Sequence, residues 1–387
     1  MAGPVSQRWD ALDILRGITV IAMLLNLNPG AWDQEYRWLD HARWQGGHLI
    51  DMVAPAFLFC IGAVLPLSLG RRIARGAAHA ALVGHILWRS LALVAIGLFF
   101  NLYPSFDWAH MRIPGVLQRI GLDYGMVALL VLATARRDGS GKVRFSTGAI
   151  AAAAGVVLVS YWALLYFVPV PGFGAPRFDP VGSWPAVVDR WLIGPDHMFI
   201  YWPVDGKVVF DPEGLISLYP ATFNVLLGVL VGLVHAEGRL KRPALWAVAA
   251  GSGMMLLAIA LDGVCPIVKN IWTSSFALFS GGFAVALLGG LAALLDRYRP
   301  EALLFPARLF GANPLLAYIL SFAISPLLDI PWIGRPDGPI PLRRAGQEAF
   351  QTLLPPHHAS FVFGLVCVGA IGLILLFCHR RRWILKL

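Results

Sequence analysis

The chain has 387 residues, of which 58% are hydrophobic and only 14% charged, against roughly 45–50% and 25% in a soluble domain. With a mean hydropathy of +0.68, these figures exclude an ordinary soluble enzyme, a disordered chain and a small secreted scaffold. The net charge of +9 would point to nucleic acid in a soluble protein. In a membrane protein, arginine and lysine report sidedness instead.

A spanning helix needs ~20 mostly apolar residues. Ten stretches qualify, at 11–29, 49–69, 80–100, 114–134, 146–168, 215–235, 243–261, 271–295, 303–328 and 359–379. The first holds Asp13 and Arg16 and is followed by no small-residue cleavage site, so it reads as a span and not as a cleaved signal peptide. The loops on the side of the two termini carry 17 Lys and Arg, and the longer opposite loops carry 10. The positive-inside rule puts the N- and C-termini in the cytoplasm, and the loops near 30–48, 169–214 and 329–358 outside. The predicted fold class is therefore all-α, a single polytopic domain over 1–387 with about ten transmembrane helices. The lipid bilayer is its first partner, and nucleic acid is not expected. The sequence leaves a homodimer open. The cysteines at 60, 265, 367 and 378 have no metal-ligand or disulfide spacing.

Polar residues inside or beside the spans need a reason. Asp13 and Arg16 lie at i,i+3 and can pair on one face of the first helix. The alternative is an arginine held ready for an anion. Arg89 lies two turns into the third span and faces the same choice. Arg119 and Asp123 are one turn apart and can form an ion pair. After Asn26, Pro29-Gly30 breaks the first helix. If the second helix starts early, His41, Trp44, His48, Asp51 and Pro55 follow one face at 3,4,3,4 spacing. Such a stripe suits a wet cleft, or an interfacial belt with solvated histidines. As a metal site, His41, His48 and Asp51 are poorly spaced, and no metal is expected. Asp211 and Glu213 precede the sixth span, where acidic residues favour the helix dipole or anchor a cationic substrate. Lys269, Asn270 and the residues to Ser275 form a polar patch at the start of the eighth. Asn313-Pro314 interrupts the ninth and frees backbone groups there.

Several of these stretches resemble one family. They are Leu12-Asp13-Ile-Leu-Arg16-Gly17, Asn26, His41-Ala-Arg-Trp44-Gln-Gly46, Asp51-Met-Val-Ala-Pro55, Arg112-Ile-Pro114-Gly115-Val-Leu-Gln118-Arg119, Asp189-Arg190-Trp191, Phe210-Asp211-Pro212-Glu213-Gly214, Lys269-Asn270-Ile-Trp272-Thr273 and Gly311-Ala-Asn313-Pro314. In this order they are similar to the heparan-α-glucosaminide N-acetyltransferase family, and most of all to its bacterial NagX-type members. The resemblance implies acetyl-CoA as donor, the amine of glucosamine or a glucosamine-containing saccharide as acceptor, and the bacterial inner membrane as location. It maps the family's active-site histidine onto His41 and its upstream asparagine onto Asn26.

Acetyl transfer to an amine needs a base, for which histidine suits, and a stabilised oxyanion. His41 is then the base or the nucleophile. Asn26 is a candidate oxyanion donor, and Asp51 orients His41 or holds the ammonium. Trp44, His48, Asp211, Glu213, Lys269 and Asn270 are candidates for the amino sugar. Arg16, Arg71, Arg72 and Arg89 are candidates for the phosphates of acetyl-CoA. An amino-sugar transporter and an envelope-glycan O-acyltransferase are the rival readings.

Overall fold

The computed structural model describes residues 9–139, 141–238 and 240–385. Arg8, Arg239 and Lys386, part of the inner charge count, lie outside the described residues. The helices, in chain order, are α1 (Asp10–Leu27), α2 (Val53–Ala74), α3 (His79–Leu102), α4 (Val116–Ala133), α5 (Thr147–Phe167), α6 (Trp184–Leu192), α7 (Leu215–Glu237), α8 (Pro243–Ala260), α9 (Ser274–Arg297), α10 (Glu301–Ala312), α11 (Pro314–Leu328), α12 (Leu342–Gln351) and α13 (Pro356–Arg380). Among the described residues the only named strands are the two-residue pair at Arg136–Arg137 and Val143–Arg144. The protein is an all-α polytopic membrane protein.

Among the described residues eight helices are long and apolar enough to cross a bilayer, namely α2 to α5, α7 to α9 and α13. The expected span over 303–328 is two helices, α10 and α11, that meet at 81°. Asn313-Pro314 explains the break, because proline has no N–H to donate and clashes with the preceding turn. The first expected span, α1, has 18 residues and carries Asp10, Asp13 and Arg16 near its start, so it passes on length but not on charge.

The chain divides into two compact units. Of the described residues, one contains 9–41, 48–53 and 287–385. In it α1 packs on α10, α11 and α13, and α12 lies on α13. Gly17 makes the α1–α10 crossing possible, since a Cβ there would sit 1.7 Å from the Ala307 carbonyl oxygen. Small residues that let backbones touch are the usual means of helix association in lipid. The charges of α1 are all paired in this unit. Arg308 holds Asp10 through two hydrogen bonds of 2.6 and 3.0 Å. Arg16 donates to Asp13 at 2.7 Å and to the Gly311 carbonyl at 2.8 Å. That carbonyl lies in the last turn of α10, where the break at Pro314 has removed its helical partner.

The other unit contains 42–47 and 54–286. In it α3 packs on α4, while α4, α5 and α6 pack on α7. The segment just before α9 is tied to α5 and α7. Tyr161 donates to the Ile271 carbonyl at 2.6 Å, and the Trp272 indole donates to Asn224 at 3.1 Å.

Candidate active site

The residues singled out in the sequence fall into two groups, one in each unit. In the first unit the chain leaves α1 and, apart from a 3-10 turn at Trp32–Gln34, has no helix until residue 49. Residues 49–52 form a 3-10 turn, and α2 starts only at Val53. The helical stripe expected over His41, Trp44, His48 and Asp51 is therefore not formed. Pro29-Gly30 and Gly46-Gly47 break helical continuity, and the segment runs as an irregular loop.

The loop nonetheless brings His41 and Asp51 together. His41 Nδ1 and Asp51 Oδ1 are 2.7 Å apart. The Asp51 side chain is fully buried, and that of His41 is 26% exposed. The other carboxylate oxygen accepts the backbone N–H of His48 at 2.8 Å, which caps the 3-10 turn. A carboxylate fixed in this way makes Nδ1 the protonated ring nitrogen and leaves the basic lone pair on Nε2. His48 turns elsewhere, with its Nδ1 2.8 Å from the Asp40 carbonyl oxygen. The two imidazoles and Asp51 do not converge as metal ligands would. The Asn26 amide donates to the Leu39 carbonyl at 2.8 Å and so fixes the backbone two residues before His41.

In the second unit, residues 42–47 are stitched to the segment before α9. Asn270 donates to the Arg43 carbonyl at 2.7 Å, and Gly46 N–H to the Ile267 carbonyl at 2.8 Å. The Trp44 indole donates to the Phe178 carbonyl at 2.8 Å, and its ring meets the edge of Phe210 with centroids 4.9 Å apart. Trp44 thus anchors the loop segment 42–47. Lys269 is buried, with its ammonium 5.7 Å from the Trp202 ring centroid.

Asp211 is buried and accepts four hydrogen bonds. Two come from the Arg112 guanidinium at 2.9 and 2.6 Å, and two from the backbone N–H groups of Phe199 and Glu213 at 2.9 and 2.8 Å. Glu213 pairs with the same guanidinium. Burial alone would raise the Glu213 carboxyl, but Arg112, Arg119 and Lys269 hold it well below the usual range. With its acceptor sites filled in this way, Asp211 is a structural brace, and Arg112 is the partner that sequence reasoning missed.

The residue that meets the start of α7 is Asp189, not Asp211. Its Oδ1 accepts the Leu215 N–H at 2.9 Å, and its Oδ2 is buried without a hydrogen-bond partner. Gly214 leaves the room, because a Cβ there would lie 1.8 Å from that oxygen. Burial pushes the carboxyl up to about 7, and Asp211 adds to the rise.

Arg119 and Asp123 do not form the expected ion pair. Arg119 reaches toward the N-terminal end of its helix, as helical side chains do. There it donates to Ser217 at 2.5 Å and to the Pro212 carbonyl at 3.0 Å. Both Asp123 carboxylate oxygens are buried without hydrogen-bond partners. Of the cationic candidates, Arg71 and Arg72 are exposed at the end of α2, whereas Arg89 lies 4.7 Å over the Tyr124 ring with its Nε buried and unpartnered. A cavity of about 670 Å3 opens among the loops of this unit, lined by apolar residues together with His110, Arg190, Asp196 and Lys207. Arg190 donates to the Val209 and Val181 carbonyls at 2.6 and 2.7 Å.

The stretch that builds the His41–Asp51 pair also carries the likeness to known proteins. Residues 8–181 match the family model of the heparan-alpha-glucosaminide N-acetyltransferase catalytic region. The match takes in Asn26, His41, Trp44 and Asp51. The human heparan-alpha-glucosaminide N-acetyltransferase is 29% identical over 81% of this chain, and the mouse protein 28% identical over 81%. The chain spans about half the length of these curated relatives, 52% and 53% respectively.

Proposed function

We propose that the protein is a transmembrane N-acetyltransferase that moves acetyl from acetyl-CoA to the amine of glucosamine or of a glucosamine-containing saccharide. The observation that carries this reading is the buried carboxylate of Asp51 on Nδ1 of His41, within a stretch similar to the acetyltransferase catalytic region. The activity and the acceptor class are taken from the printed names of the relatives, and the role of each residue from its geometry here.

His41 is the general base. The ammonium of the sugar first gives one proton to solvent. The amine then attacks the thioester carbon, and Nε2 takes the second proton as the C–N bond forms. Asp51 stabilises the imidazolium, as a buried orienting carboxylate does. The tetrahedral intermediate collapses by breaking the C–S bond, and the imidazolium protonates the departing thiolate. The net products are the acetamide, CoA and one proton. The other chemistry open to the same histidine is an acetyl-imidazole intermediate. Direct attack needs one tetrahedral intermediate and exposes no reactive acyl group to water, so it is the preferred route.

Asn26 acts through the loop it pins. Trp44, Lys269 and Asn270 border the segment that leads from His41, and belong to the acceptor side. Asp211 and Glu213 brace that side through Arg112. Arg71 and Arg72, exposed and basic, suit the donor phosphates. Arg16 is committed to Asp13 and Gly311, and contributes by holding α1 in place. Arg89 keeps an unpartnered Nε and remains a donor-site candidate. The location proposed is the bacterial inner membrane, with His41 on the periplasmic half.

The test mixes purified protein in detergent with acetyl-CoA and glucosamine and follows CoA release together with N-acetylglucosamine formation. Release that depends on the amine is expected. Sugar flux across a vesicle without CoA release would replace this reading with the transporter.

A further inference from the structure

Glu35 lies six residues before His41, and neither the fold nor the proposed chemistry uses it. The loop around it is clamped to the first turns of α13. Gly30 N–H donates to the Ser360 carbonyl at 3.2 Å. The Ser360 hydroxyl accepts from Ala31 N–H at 3.1 Å and lies 3.0 Å from the Ala31 carbonyl oxygen. The Tyr36 hydroxyl bonds His358 Nδ1. Tyr36 and Trp38 stack at 6.0 Å, and both meet the edge of Phe361. Within this clamp Glu35 helps line a pocket with Leu25, Pro29, Tyr36, Leu39, Ser360, Phe361 and Gly364. The free volume is about 10 Å3, at the lower limit for one water molecule. Glu35 Oε1 is buried there without a hydrogen-bond partner.

The residue as a whole is half-buried, so the cost of ionisation falls on this one oxygen, which the neutral acid leaves uncharged. From this pocket the chain runs four residues to buried Leu39, whose carbonyl Asn26 holds, and then to Asp40 and His41. We propose that Glu35 is a positioning residue for His41, a carboxylic acid seated in its neutral form between the 29–39 loop and α13, whose ionisation unseats the loop that carries the histidine. Burial pushes this carboxyl up to about 8, and the charge of Asp40 pushes in the same direction. The other ionisable groups around the clamp are Asp33, Tyr36 and Arg37 in the loop, His357 and His358 on α13, and Arg343 on α12, which donates to the carbonyl of pocket-lining Pro29 at 2.6 Å. The pocket face supplied by α1 is the apolar side chain of Leu25. The sign follows from the direction of the shift. A carboxyl raised in the folded protein favours the seated loop in full below its ordinary value of 4.5, and that effect is lost progressively as pH rises from there to about 8.

The positioning of the histidine rests on its reading as the catalytic base, but the seating of the loop can be measured without it. Backbone hydrogen exchange of residues 31–41 is followed in purified wild type, Glu35→Gln and Glu35→Ala from about pH 4.5 to 9.5, corrected for intrinsic exchange, with α5 as an internal reference. At the low end, near the ordinary glutamate value of 4.5, wild type and Glu35→Gln should be about equally protected. From there to about 8 the wild-type loop should open on the order of tenfold more per pH unit, and level off above. Glu35→Gln should stay flat, and Glu35→Ala should be open throughout. The ratio of wild-type to Glu35→Gln acetyl transfer should fall over the same range. Equal protection of wild type and Glu35→Gln at all pH values overturns the proposal. So does an opening with rising pH that the glutamine variant keeps. If the loop opens as stated but no variant transfers acetyl, the enzyme reading fails and the seating of Glu35 stands.

Discussion

His41 and His48 test the assignment at the scale of single side chains. They share a loop and similar exposure, but only His41 lies on the buried Asp51 carboxylate, and His48 Nδ1 lies on a backbone carbonyl. His41→Ala should lower acetyl transfer by ~10²–10⁴, with thermal stability and acetyl-CoA binding close to wild type. His48→Ala should keep most of the activity. Asp51→Asn leaves the shape but offers the imidazole an amide, so the loss should approach that of His41→Ala and fall on kcat more than on KM. Activity retained in His41→Ala and lost in His48→Ala would transfer the role to the second histidine. Asp189 makes a separate prediction, on stability. Its carboxyl sits at about 7 in the folded protein, above the unfolded value of ~3.9. A carboxyl raised on folding stabilises most below the unfolded value, and that contribution is lost as pH rises to about 7. Asp189→Asn keeps an acceptor for Leu215 N–H and never ionises. It should therefore raise the thermal midpoint at pH 8 by several degrees relative to wild type, with little gain at pH 4.5. An equal shift at both pH values would mean that ionisation of Asp189 is not the cause.

The elements show where sequence reasoning succeeds and where it stops. Long apolar stretches are legible because a ~20-residue period of hydrophobicity is imposed by the bilayer itself, and eight of the ten expected spans are single long helices. The break in the ninth was legible too, as Asn313-Pro314, but the 81° bend was not. The reading of 41–51 as one helical face put His41 and Asp51 together, but by a helical geometry that the segment does not have. Periodicity assumes a helix, and the contact of His41 with Asp51 comes from a loop that turns back onto a capped 3-10 turn. Arg112 was invisible as a partner of Asp211 because 99 residues separate them, and no local pattern encodes such a pair. Glu35 gave no signal, since its meaning lies wholly in the pocket that α13 closes over it. At the α1–α10 crossing the element-scale prediction is direct. Gly17→Val places branched carbons against the Ala307 carbonyl, which α10 cannot move without bending. Overpacking of this kind costs ~1–3 kcal/mol or more, and thermal unfolding in detergent should show the loss. A midpoint unchanged from wild type would mean that the helices do not touch there.

For the whole molecule, sidedness depends on whether α1 crosses. Eight long helices and the bent pair make nine crossings if the pair counts as one, and nine would put the termini on opposite sides. α1 makes ten. Its 18 residues reach ~27 Å at 1.5 Å per residue, close to the ~30 Å of a hydrocarbon core. Its charges argue against crossing only if they are bare, and they are not. Arg308 meets Asp10, and Arg16 meets both Asp13 and the Gly311 carbonyl, so the helix enters with its charges matched within the protein. All three charges also lie in its first two turns, where the interface is near. The basic loops supply the direction, with 17 Lys and Arg on the side of the termini against 10 in the longer loops opposite. Reporters fused before Met1 and after Leu387 should therefore both be active in the cytoplasm and silent outside. A cytoplasmic C-terminus with an external N-terminus would mean that α1 does not cross. It would then leave the 28–52 loop, with His41, on the side set by α2 alone. Both reporters external would invert the molecule and carry the His41–Asp51 pair to the cytoplasmic side, where acceptor and donor would share one compartment.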